Sequence, residues 1–458
     1  MNPAEPAVKS SRLARRLGLF DATMIVMGGM VGAGIFMNPY EVARLVHTPF
    51  LILAAWVAGG AYALLGAFIY AELAARRPQV GGQYAYIREA YHPAVAFLYG
   101  WGLLLVTQTG GMAAVAVTFA RYFRALTGWE LSDGQVAAVV LGALTLVNCL
   151  GVRAGSTTQN ILMALKIAAI VALIWCGLYF GGRAPVAAAQ AELLDRPFSF
   201  DLLVVFGAAL VPVLFSYGGW QTSCFIAGEV REPEKNLPRG LVLGVIGVIV
   251  LYVGVNFVCV RVLGAEGLAA TTAPASDVMR AALGEAGARL IAAGIAISTL
   301  GFLSQSMLTA PRVYYAMAED GLFFRRVAWL DPRTQVPVVA IALQGVFALV
   351  IAVSGRYDQI LDYVVSVDQL FFAVSASCLF ALRRRDAARD AQGPAGQAAG
   401  AAPYATPGHP FSTIVFIAVC LLVTASVVHK APLNAAAGLG ILLAGLPAYF
   451  FWGRKRNA

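Results

Sequence analysis

The sequence predicts an all-α membrane protein with twelve transmembrane helices, the first and sixth of which are interrupted. Of its 458 residues, 59% are hydrophobic and 12% are charged, whereas soluble domains average about 25% charged residues. Two motifs, Gly32-Ala33-Gly34-Ile35 and Ser216-Tyr217-Gly218-Gly219, break apolar stretches, and Gly218 lies 186 residues after Gly32. Composition therefore indicates a membrane protein, and the two motifs single out one helix in each half of the chain.

Twelve apolar stretches have about the length of a transmembrane helix, which takes roughly 20 residues. In chain order they are 19–42, 49–75, 93–126, 134–151, 156–181, 201–230, 239–263, 288–318, 337–354, 358–382, 411–429 and 433–453. Several exceed the required length, so we expect tilted helices or extensions beyond the membrane. The opening stretch 1–18 is polar and basic and lacks the apolar core of a cleavable signal peptide.

The distribution of positive charge predicts the orientation. Of the 33 Lys and Arg residues, 21 fall in segments predicted to be cytoplasmic and 10 in segments predicted to be external. This positive-inside bias places both termini on the cytoplasmic side of the inner membrane. The clusters 383–385 and 454–456 are therefore topological anchors that also contact anionic lipids. The net charge of +9 is explained by orientation, and we expect no nucleic-acid partner.

Other classes of protein find little support in the sequence. The six cysteines lie in or at the ends of apolar spans and are interpreted as small buried hydrophobes rather than disulfide partners: Cys149, Cys176, Cys224, Cys259, Cys378 and Cys420. The four histidines have no metal-ligand spacing, and no phosphate-binding loop is present, so we predict no metal, no cofactor and no ATP-driven step. No nucleophile–base constellation indicates an enzyme.

The first interruption predicts a binding site for a zwitterion. A membrane helix unwinds only where its freed backbone groups face a protein-lined cavity, and glycines weaken the helix enough to allow it. Free N–H groups at Gly32 to Ile35 suit a carboxylate, and free carbonyls suit an ammonium group. Paired interruptions in two halves of a chain indicate a transporter's binding site. The alternative is that the glycines only let helices pack closely.

The second interruption adds aromatic side chains to the predicted site. Phe215 is a candidate gate over the ligand. Trp220, a second large aromatic beside the break, is the other candidate gate. Ser216, Tyr217 and Gly218 contribute further backbone groups. The alternative for both aromatic side chains is ordinary packing against neighbouring helices or lipid.

Several motifs of the chain resemble one family of transporters. They are the Gly32–Ile35 motif, Phe215-Ser216-Tyr217-Gly218-Gly219-Trp220, Gly228-Glu229 with Pro233-Glu234-Lys235-Asn236-Leu237-Pro238-Arg239, Tyr70-Ala71-Glu72-Leu73 with Pro78 and Gly81-Gly82-Gln83-Tyr84, Phe97-Leu98-Tyr99-Gly100-Trp101, and Pro403-Tyr404-Ala405-Thr406-Pro407-Gly408. In this order and spacing they resemble the amino acid–polyamine–organocation superfamily. More closely, they resemble the bacterial relatives of the L-type amino acid transporters, over about residues 17 to 430.

The resemblance implies a leucine-transporter-like fold of five plus five helices in inverted repeat. Its expected divisions are the cytoplasmic N-terminus 1–18, the repeats 19–181 and 201–382, the cytoplasmic linker 383–410, helices 11 and 12 in 411–453, and the cytoplasmic C-terminus 454–458. It also implies that Gly32, Ala33, Gly34 and Ile35 bind the substrate carboxylate through backbone, with Phe215 as the proximal gate and Ser216, Tyr217 and Gly218 completing the site. Animal L-type transporters pair with a glycoprotein through a cysteine between helices 3 and 4. Loop 127–133 has no cysteine, so we expect no disulfide-linked heavy subunit.

Ionisable groups inside the spans are costly and are candidate functional residues. For Lys166, the resemblance implies an ammonium group in the position of a sodium ion in related sodium-coupled carriers; the alternative is a structural anchor. Asp368 is a candidate proton site, unless Gln369 and neighbouring helices satisfy it statically. Glu72, Glu229 and Arg312 are predicted to form gates or salt bridges. The candidate cavity residues are Thr107, Gln108, Thr109, Ser304 and Gln305, with interhelical hydrogen bonding as the alternative.

The predicted function is sodium-independent secondary transport, with exchange of neutral L-amino acids by alternating access. Neutral substrates are favoured because neither interrupted motif contains a carboxylate for a cationic side chain. The alternatives are a proton-coupled amino acid symporter and a transport-incompetent amino acid receptor on the same fold. Receptors of that kind usually add cytoplasmic signalling extensions, whereas the termini here are short.

Overall fold

The computed structural model describes residues 13, 15–182, 193–194, 197–354, 357–392, 404–430 and 432–454. Within these residues the secondary structure is helical, apart from one isolated bridge between Leu17 and Val230. The chain is therefore an all-α protein over the described ranges. The predicted spans 358–382 and 433–453 include residues whose side chains lie outside the description. Also outside it are residues 1–12 and 14 of the predicted N-terminus 1–18, 393–403 of the predicted linker 383–410 and 455–458 of the predicted C-terminus 454–458.

The helices follow one another with short connections. In chain order they are α1 (Leu19–Met30), α2 (Gly34–Met37), α3 (Pro39–Leu45), α4 (Pro49–Arg76), α5 (Gln83–Ala90), α6 (Pro93–Gly102), a π-helical turn (Leu103–Thr107), α7 (Gln108–Thr127), α8 (Asp133–Cys149), α9 (Val152–Tyr179), α10 (Phe200–Ser216), a 3₁₀ helix (Trp220–Glu229), α11 (Pro233–Ala270), α12 (Pro274–Thr309), α13 (Pro311–Glu319), a second 3₁₀ helix (Arg325–Ala328), α14 (Val338–Ser354), α15 (Tyr357–Gln392), α16 (Phe411–Lys430), α17 (Pro432–Leu443) and α18 (Gly445–Arg454).

Apolar helices long enough to cross a membrane account for much of the fold. Seven stretches of the described helices meet that requirement, from Pro49–Arg76 to Phe411–His429, and four shorter apolar helices accompany them. The chain therefore has the helices of a multi-pass membrane protein. The count of twelve spans stays a prediction.

Local sequence explains where several helices begin and end. Thr48 caps α4 by accepting a hydrogen bond from the Leu51 N–H at 3.2 Å, and Pro49 occupies the first turn. Ser132 and Gln135 form a reciprocal capping box at the start of α8. Gly128 ends α7 in a left-handed conformation with φ +71°, which glycine adopts without steric cost.

The first predicted span is divided in two by non-helical backbone. α1 ends at Met30, Val31 is extended, and α2 begins at Gly34. The helix therefore stops slightly before the predicted motif, and Gly34 and Ile35 already belong to the next helical turn. The sixth predicted span is divided in the same way, since α10 ends at Ser216 and a turn leads into the 3₁₀ helix.

Helix packing brings these two interrupted segments together. α1 packs against α11, the 3₁₀ helix Trp220–Glu229 and α9, while α4 packs against α10 and α11. α12 contacts α1, α7 and α9. The interruptions of the first and sixth spans therefore lie inside the bundle, beside each other.

The six cysteines are free thiols. Four are buried, and Cys149 and Cys176 are partly buried. All six fall within the described ranges, where they pack among apolar side chains rather than form a disulfide framework.

Candidate functional site

A cavity lies where the two interruptions meet. Gly32, Ala33 and Gly34 line it from the first interruption, and Phe215, Ser216 and Gly218 line it from the second. Ile35 and Tyr217 are not part of the lining. The remaining lining residues are Gly29, Met30, Thr107, Gln108, Gly111, Val115, Leu214, Gly219, Gln221, Thr222, Phe302, Gln305, Ser306, Asp368, Gln369 and Phe372.

The two interrupted segments touch through glycine backbone. A Cβ atom on Gly219 would lie 2.1 Å from the Gly29 carbonyl oxygen, and one on Gly29 would lie 2.6 Å from the Gly219 oxygen. Gly219 also has φ +104°, a conformation that other residues rarely adopt. Glycine at both positions therefore permits an approach that places the two breaks against one cavity.

Free backbone donors of the first interruption lie at or next to this cavity. Among the described residues, the N–H groups of Gly32, Ala33, Gly34 and Ile35 donate to no backbone carbonyl, whereas the Phe36 N–H bonds to the Ala33 oxygen at 3.0 Å. Space near them is tight, because a Cβ on Gly34 would lie 2.9 Å from the Ser216 hydroxyl. Clustered free N–H groups beside a cavity form a binding site for a carboxylate.

One tyrosine and one asparagine fix the ends of the broken helices. The Tyr252 hydroxyl lies 2.8 Å from the Met30 carbonyl oxygen and 3.2 Å from that of Ser216. The Asn38 amide donates to the Pro212 carbonyl oxygen at 3.0 Å and to the Ser216 hydroxyl at 2.8 Å. Neither residue is among the candidates that the sequence motifs predict. A tyrosine inside an apolar span was the available indication for Tyr252, because a buried hydroxyl needs a partner.

Lys166 joins α9 to the end of α1. Its Nζ donates to the Val31 carbonyl oxygen at 2.5 Å and to the Gly28 oxygen at 3.3 Å. The side chain is fully buried, and Gly301 makes room for it, since a Cβ there would lie 2.3 Å from the lysine Cε. Lys166 does not line the cavity. Its charge instead meets carbonyls that the end of α1 leaves without helical partners.

Polar side chains from two other parts of the chain also line the cavity. Thr107 and Gln108 lie where the π-helical turn passes into α7, and Asp368 and Gln369 come from α15. π-helical turns occur frequently at functional sites. Thr109 does not line the cavity; its hydroxyl donates to the Leu104 carbonyl at 2.5 Å.

A hydrogen-bonded chain links α12 to the second interruption. The Gln305 amide donates to the Thr222 hydroxyl at 2.6 Å, and that hydroxyl donates to the Gly219 carbonyl at 2.7 Å. Gln305 lines the cavity, whereas the predicted cavity residue Ser304 is buried away from the lining. This chain holds the backbone of the second break in place.

The predicted gate residues occupy different surroundings. Phe215 lines the cavity and is 43% exposed. Trp220 is buried; its ring stacks on Phe372 at 5.6 Å and meets Tyr70 edge-on at 4.8 Å. Tyr217 packs against Trp56 and Tyr252. Trp220 thus reaches the cavity only through Phe372.

Ion pairs connect neighbouring elements at the end of the bundle where the N-terminal segment lies. Arg312 and Glu229 are both fully buried, with Nε to Oε1 at 2.6 Å and Nη2 to Oε2 at 3.3 Å. The N–H groups of Arg16 and Leu17 bond to the Glu229 carbonyl at 2.9 and 3.0 Å. Two-point arginine–carboxylate pairs are geometrically specific, so this contact fixes the end of the 3₁₀ helix against α13.

Glu72 anchors a second group of ion pairs at the same end of the chain's fold. Its carboxylate accepts hydrogen bonds from Arg76, from Arg383 and from the Thr406 N–H, at 2.6 to 2.8 Å. These contacts join α4, α15 and the segment before α16. Glu72, Glu229 and Arg312, which the sequence assigned to gates or salt bridges, thus all take part in ion pairs.

Comparison with known proteins identifies the family. The sequence matches the amino acid permease family over residues 17–443. The chain belongs to this family. The permease is therefore an amino acid transporter of the amino acid–polyamine–organocation superfamily, as the motifs indicated.

Named relatives resemble the permease over most of its length. It is 28% identical to the serine/threonine exchanger SteT of Bacillus subtilis over 450 residues, which cover 97% of this chain and 98% of that protein. It is 28% identical to the human b(0,+)-type amino acid transporter 1 over 382 residues, or 82% and 77% of the two chains. It is 27% identical to the mouse large neutral amino acids transporter small subunit 2 over 453 residues, or 97% and 82%.

Proposed function

We propose that this permease is a sodium-independent secondary transporter that exchanges neutral L-amino acids by alternating access. The observation that carries this function is the meeting of two interrupted helical segments at one cavity, with free backbone N–H groups in its wall. Backbone donors recognise the carboxylate that all amino acids share, so they suit a carrier that accepts several of them. Relatives named as exchangers and transporters of amino acids support the same class of activity.

The proposed architecture has twelve spans arranged as two inverted repeats of five, followed by two further helices. The first span comprises α1 to α3, and the sixth comprises α10 with the 3₁₀ helix that follows. The interruptions in these two spans are the unwound segments of the fold. The ion-paired end at Glu72, Glu229 and Arg312 is the cytoplasmic side of an inner-membrane protein, with both termini on that side. The excess of basic residues in the segments at this end supports the orientation.

The amino acid is held at its main-chain groups. Its carboxylate accepts hydrogen bonds from the N–H groups of Gly32 to Ile35, and its ammonium group donates to backbone carbonyls of the second interruption. Phe215, beside these groups and partly exposed, closes over the bound substrate. Tyr217 and Trp220 support this arrangement from behind, through Tyr252 and Phe372 respectively.

Sodium is not required because the Lys166 ammonium group lies at the end of α1, where it takes the place of an ion. Its ammonium group makes two hydrogen bonds to carbonyl oxygens that would otherwise need an ion. Such a group is tolerable in the membrane because it faces polar backbone. A disulfide-linked partner is likewise not required, since loop 127–133 offers no cysteine.

Proton-coupled symport is the second candidate function, and Asp368 is the observation that favours it. A carboxyl group in the cavity wall is a site at which a proton can bind and be released during transport. Exchange is preferred because SteT, which matches nearly the whole chain, is named as an exchanger.

Counterflow in proteoliposomes tests the proposed function. Vesicles loaded with unlabelled serine, threonine or leucine should accumulate the labelled amino acid, whereas empty vesicles should take up little. Uptake that is equal in loaded and empty vesicles and is driven by an inward proton gradient would support symport. Binding without any uptake would indicate a receptor.

A further inference from the structure

The cavity has one ionisable side chain among its described lining residues, that of Asp368. The other lining residues are glycines, apolar or aromatic residues, amides and hydroxyls. Asp368 lies on α15, outside both interrupted motifs. The wall of the proposed substrate site therefore carries a negative charge that the two motifs do not reveal.

No cationic side chain in the described part of the chain forms an ion pair with the Asp368 carboxylate. Thr107, which lines the same cavity, carries a neutral hydroxyl. Gln369, which follows it, uses its Oε1 to accept from the Tyr62 hydroxyl at 2.8 Å. The Lys166 ammonium group is directed to the carbonyls at the end of α1. A carboxylate within a membrane bundle normally has a charged partner, so a cation that enters the cavity would complete the pair.

Aromatic rings that line the cavity suit a cation as well. Phe372 lies one helical turn after Asp368 on α15, and Phe302 lines the cavity from α12. The Phe372 ring is held in place by stacking on Trp220. A cation over an aromatic face is stabilised by the ring quadrupole, more strongly when water is excluded.

We propose that Asp368 is the specificity-determining residue of the cavity, and that it admits amino acids whose side chains end in an ammonium or guanidinium group in addition to neutral ones. This inference rests on the proposed function, because it needs the main-chain groups to be bound at the two interruptions. The side chain then extends towards the wall formed by Thr107, Gln108 and Asp368. A cationic side chain of the substrate pairs with the Asp368 carboxylate there. A neutral side chain leaves this carboxylate without a charged partner.

Competition between lysine and norleucine tests the inference, because these two amino acids differ by a terminal ammonium group on the same four-carbon chain. In proteoliposomes exchanging labelled leucine, lysine should compete at lower concentration than norleucine. In Asp368→Asn, the ratio of the two apparent affinities should shift by about tenfold or more towards norleucine, the effect expected when one member of a buried charge pair is removed. Asp368→Glu, which keeps the charge, should retain the preference for lysine.

Glu130→Gln is the matched control. Glu130 is an exposed carboxylate on the loop between α7 and α8, and removing its charge should leave the lysine-to-norleucine ratio at the parent value. External lysine exchanging for internal leucine should also carry one positive charge inward, which a potential-sensitive dye detects.

The outcomes separate this inference from the function on which it rests. Leucine exchange that lysine does not inhibit, or an unchanged affinity ratio in Asp368→Asn, would overturn the assignment of Asp368 while leaving exchange intact. Absence of any leucine, serine or norleucine exchange in the parent protein would instead refute the proposed function. If Asp368→Asn does not fold, the parent protein's own preference and the Asp368→Glu variant decide the question.

Discussion

Gly34 is one of the glycines at which the two interruptions approach each other closely. A Cβ atom there would lie 2.9 Å from the Ser216 hydroxyl and 3.4 Å from the Ser216 Cα. The first of these contacts is closer than real Cβ atoms show, and Ser216 is also held by Asn38. Any side chain at residue 34 would therefore push the first break away from the second.

We expect Gly34→Val to reduce exchange by roughly a hundredfold, the scale of effect that a misplacement of about 1 Å produces at a reacting or binding centre. The change alters the substrate site rather than the bundle, so insertion and folding should survive. The measurement is leucine counterflow at matched protein density. Gly142→Val in α8, where a Cβ meets nothing within 4 Å, is the control and should exchange normally. Near-normal apparent affinity in Gly34→Val would show that the carboxylate binds elsewhere.

Single residues of the site differ in how far sequence could predict them. Glycines that interrupt apolar runs leave a visible mark, and Gly32, Gly34 and Gly218 do line the cavity. The contacts of Tyr252 and Asn38 cannot be recognised from a local motif, because their partners are 222 and 178 residues away in the chain. Asp368 was visible as an intramembrane carboxylate, but only packing of α15 against α7 places it in the cavity wall.

At the scale of helices, Lys166 is the contact that holds the end of α1 against α9. Its two hydrogen bonds end on carbonyls of Val31 and Gly28, which are buried in the bundle. An unsatisfied buried carbonyl costs about 1–3 kcal/mol. The position of α1, and with it the first interruption, therefore depends on this side chain.

Lys166→Met should lower the exchange rate by about tenfold or more, because it keeps much of the apolar stem but leaves carbonyls at the end of α1 unsatisfied. The measurement is the initial rate of counterflow, with thermal unfolding in detergent as a check on folding. Lys235→Met, at an exposed lysine on α11, is the matched control. A Lys166→Met protein that exchanges at the parent rate would reduce Lys166 to a packing role.

The Arg312–Glu229 pair holds a second junction, between α13 and the 3₁₀ helix that follows the sixth-span break. Both side chains are fully buried. If one is replaced by a neutral residue, the charge of the other remains buried without a partner. Removing one member of a buried pair typically costs about 3–5 kcal/mol, whereas replacing both by neutral residues is often close to neutral.

We therefore expect Arg312→Met to destabilise the protein more than the double variant Arg312→Met with Glu229→Gln. The comparison is made by thermal unfolding of the purified proteins, with counterflow measured in parallel. Arg325→Met, at an exposed arginine in the second 3₁₀ helix, should change neither. A double variant that is less stable than Arg312→Met would mean that the two charges do not depend on each other.

Element boundaries show what sequence patterns leave open. Hydropathy located the first span, but α1 stops at Met30 and a new helix begins at Gly34. The exact end depends on contacts from α9 and α11, through Lys166 and Tyr252, that no local pattern contains. The sequence also does not indicate the π-helical turn at Leu103–Thr107, because the residues of that apolar stretch fit an ordinary α-helix equally well.

In the molecule as a whole, the ionisable side chains of Lys166 and Asp368 lie in two different kinds of site. Lys166 lies behind the first interruption and is fully buried, whereas Asp368 lies in the cavity wall and is partly buried. The fixed ammonium group serves the fold of α1, and the carboxylate is open to what enters the cavity. If Asp368 binds cationic side chains as we propose, Lys166 is the cation that the protein itself supplies, and the second cation comes from the substrate.

Sodium independence follows from this arrangement and is the prediction that tests the whole molecule. A sodium ion in a coupled carrier binds oxygen ligands and thereby stabilises one conformation of the bundle. Here the carbonyls of Val31 and Gly28 already bond to an ammonium group, and a second cation beside it would be repelled at short range. Leucine exchange should therefore proceed at equal rates in sodium, potassium and choline buffers at fixed pH and ionic strength.

Equal rates in the parent protein, combined with a loss in all three buffers for Lys166→Met, would match an ammonium group acting in place of an ion. A rate that rises steeply with external sodium in the parent protein would contradict the proposal, whatever the variant does, because it would require a sodium site that Lys166 does not occupy.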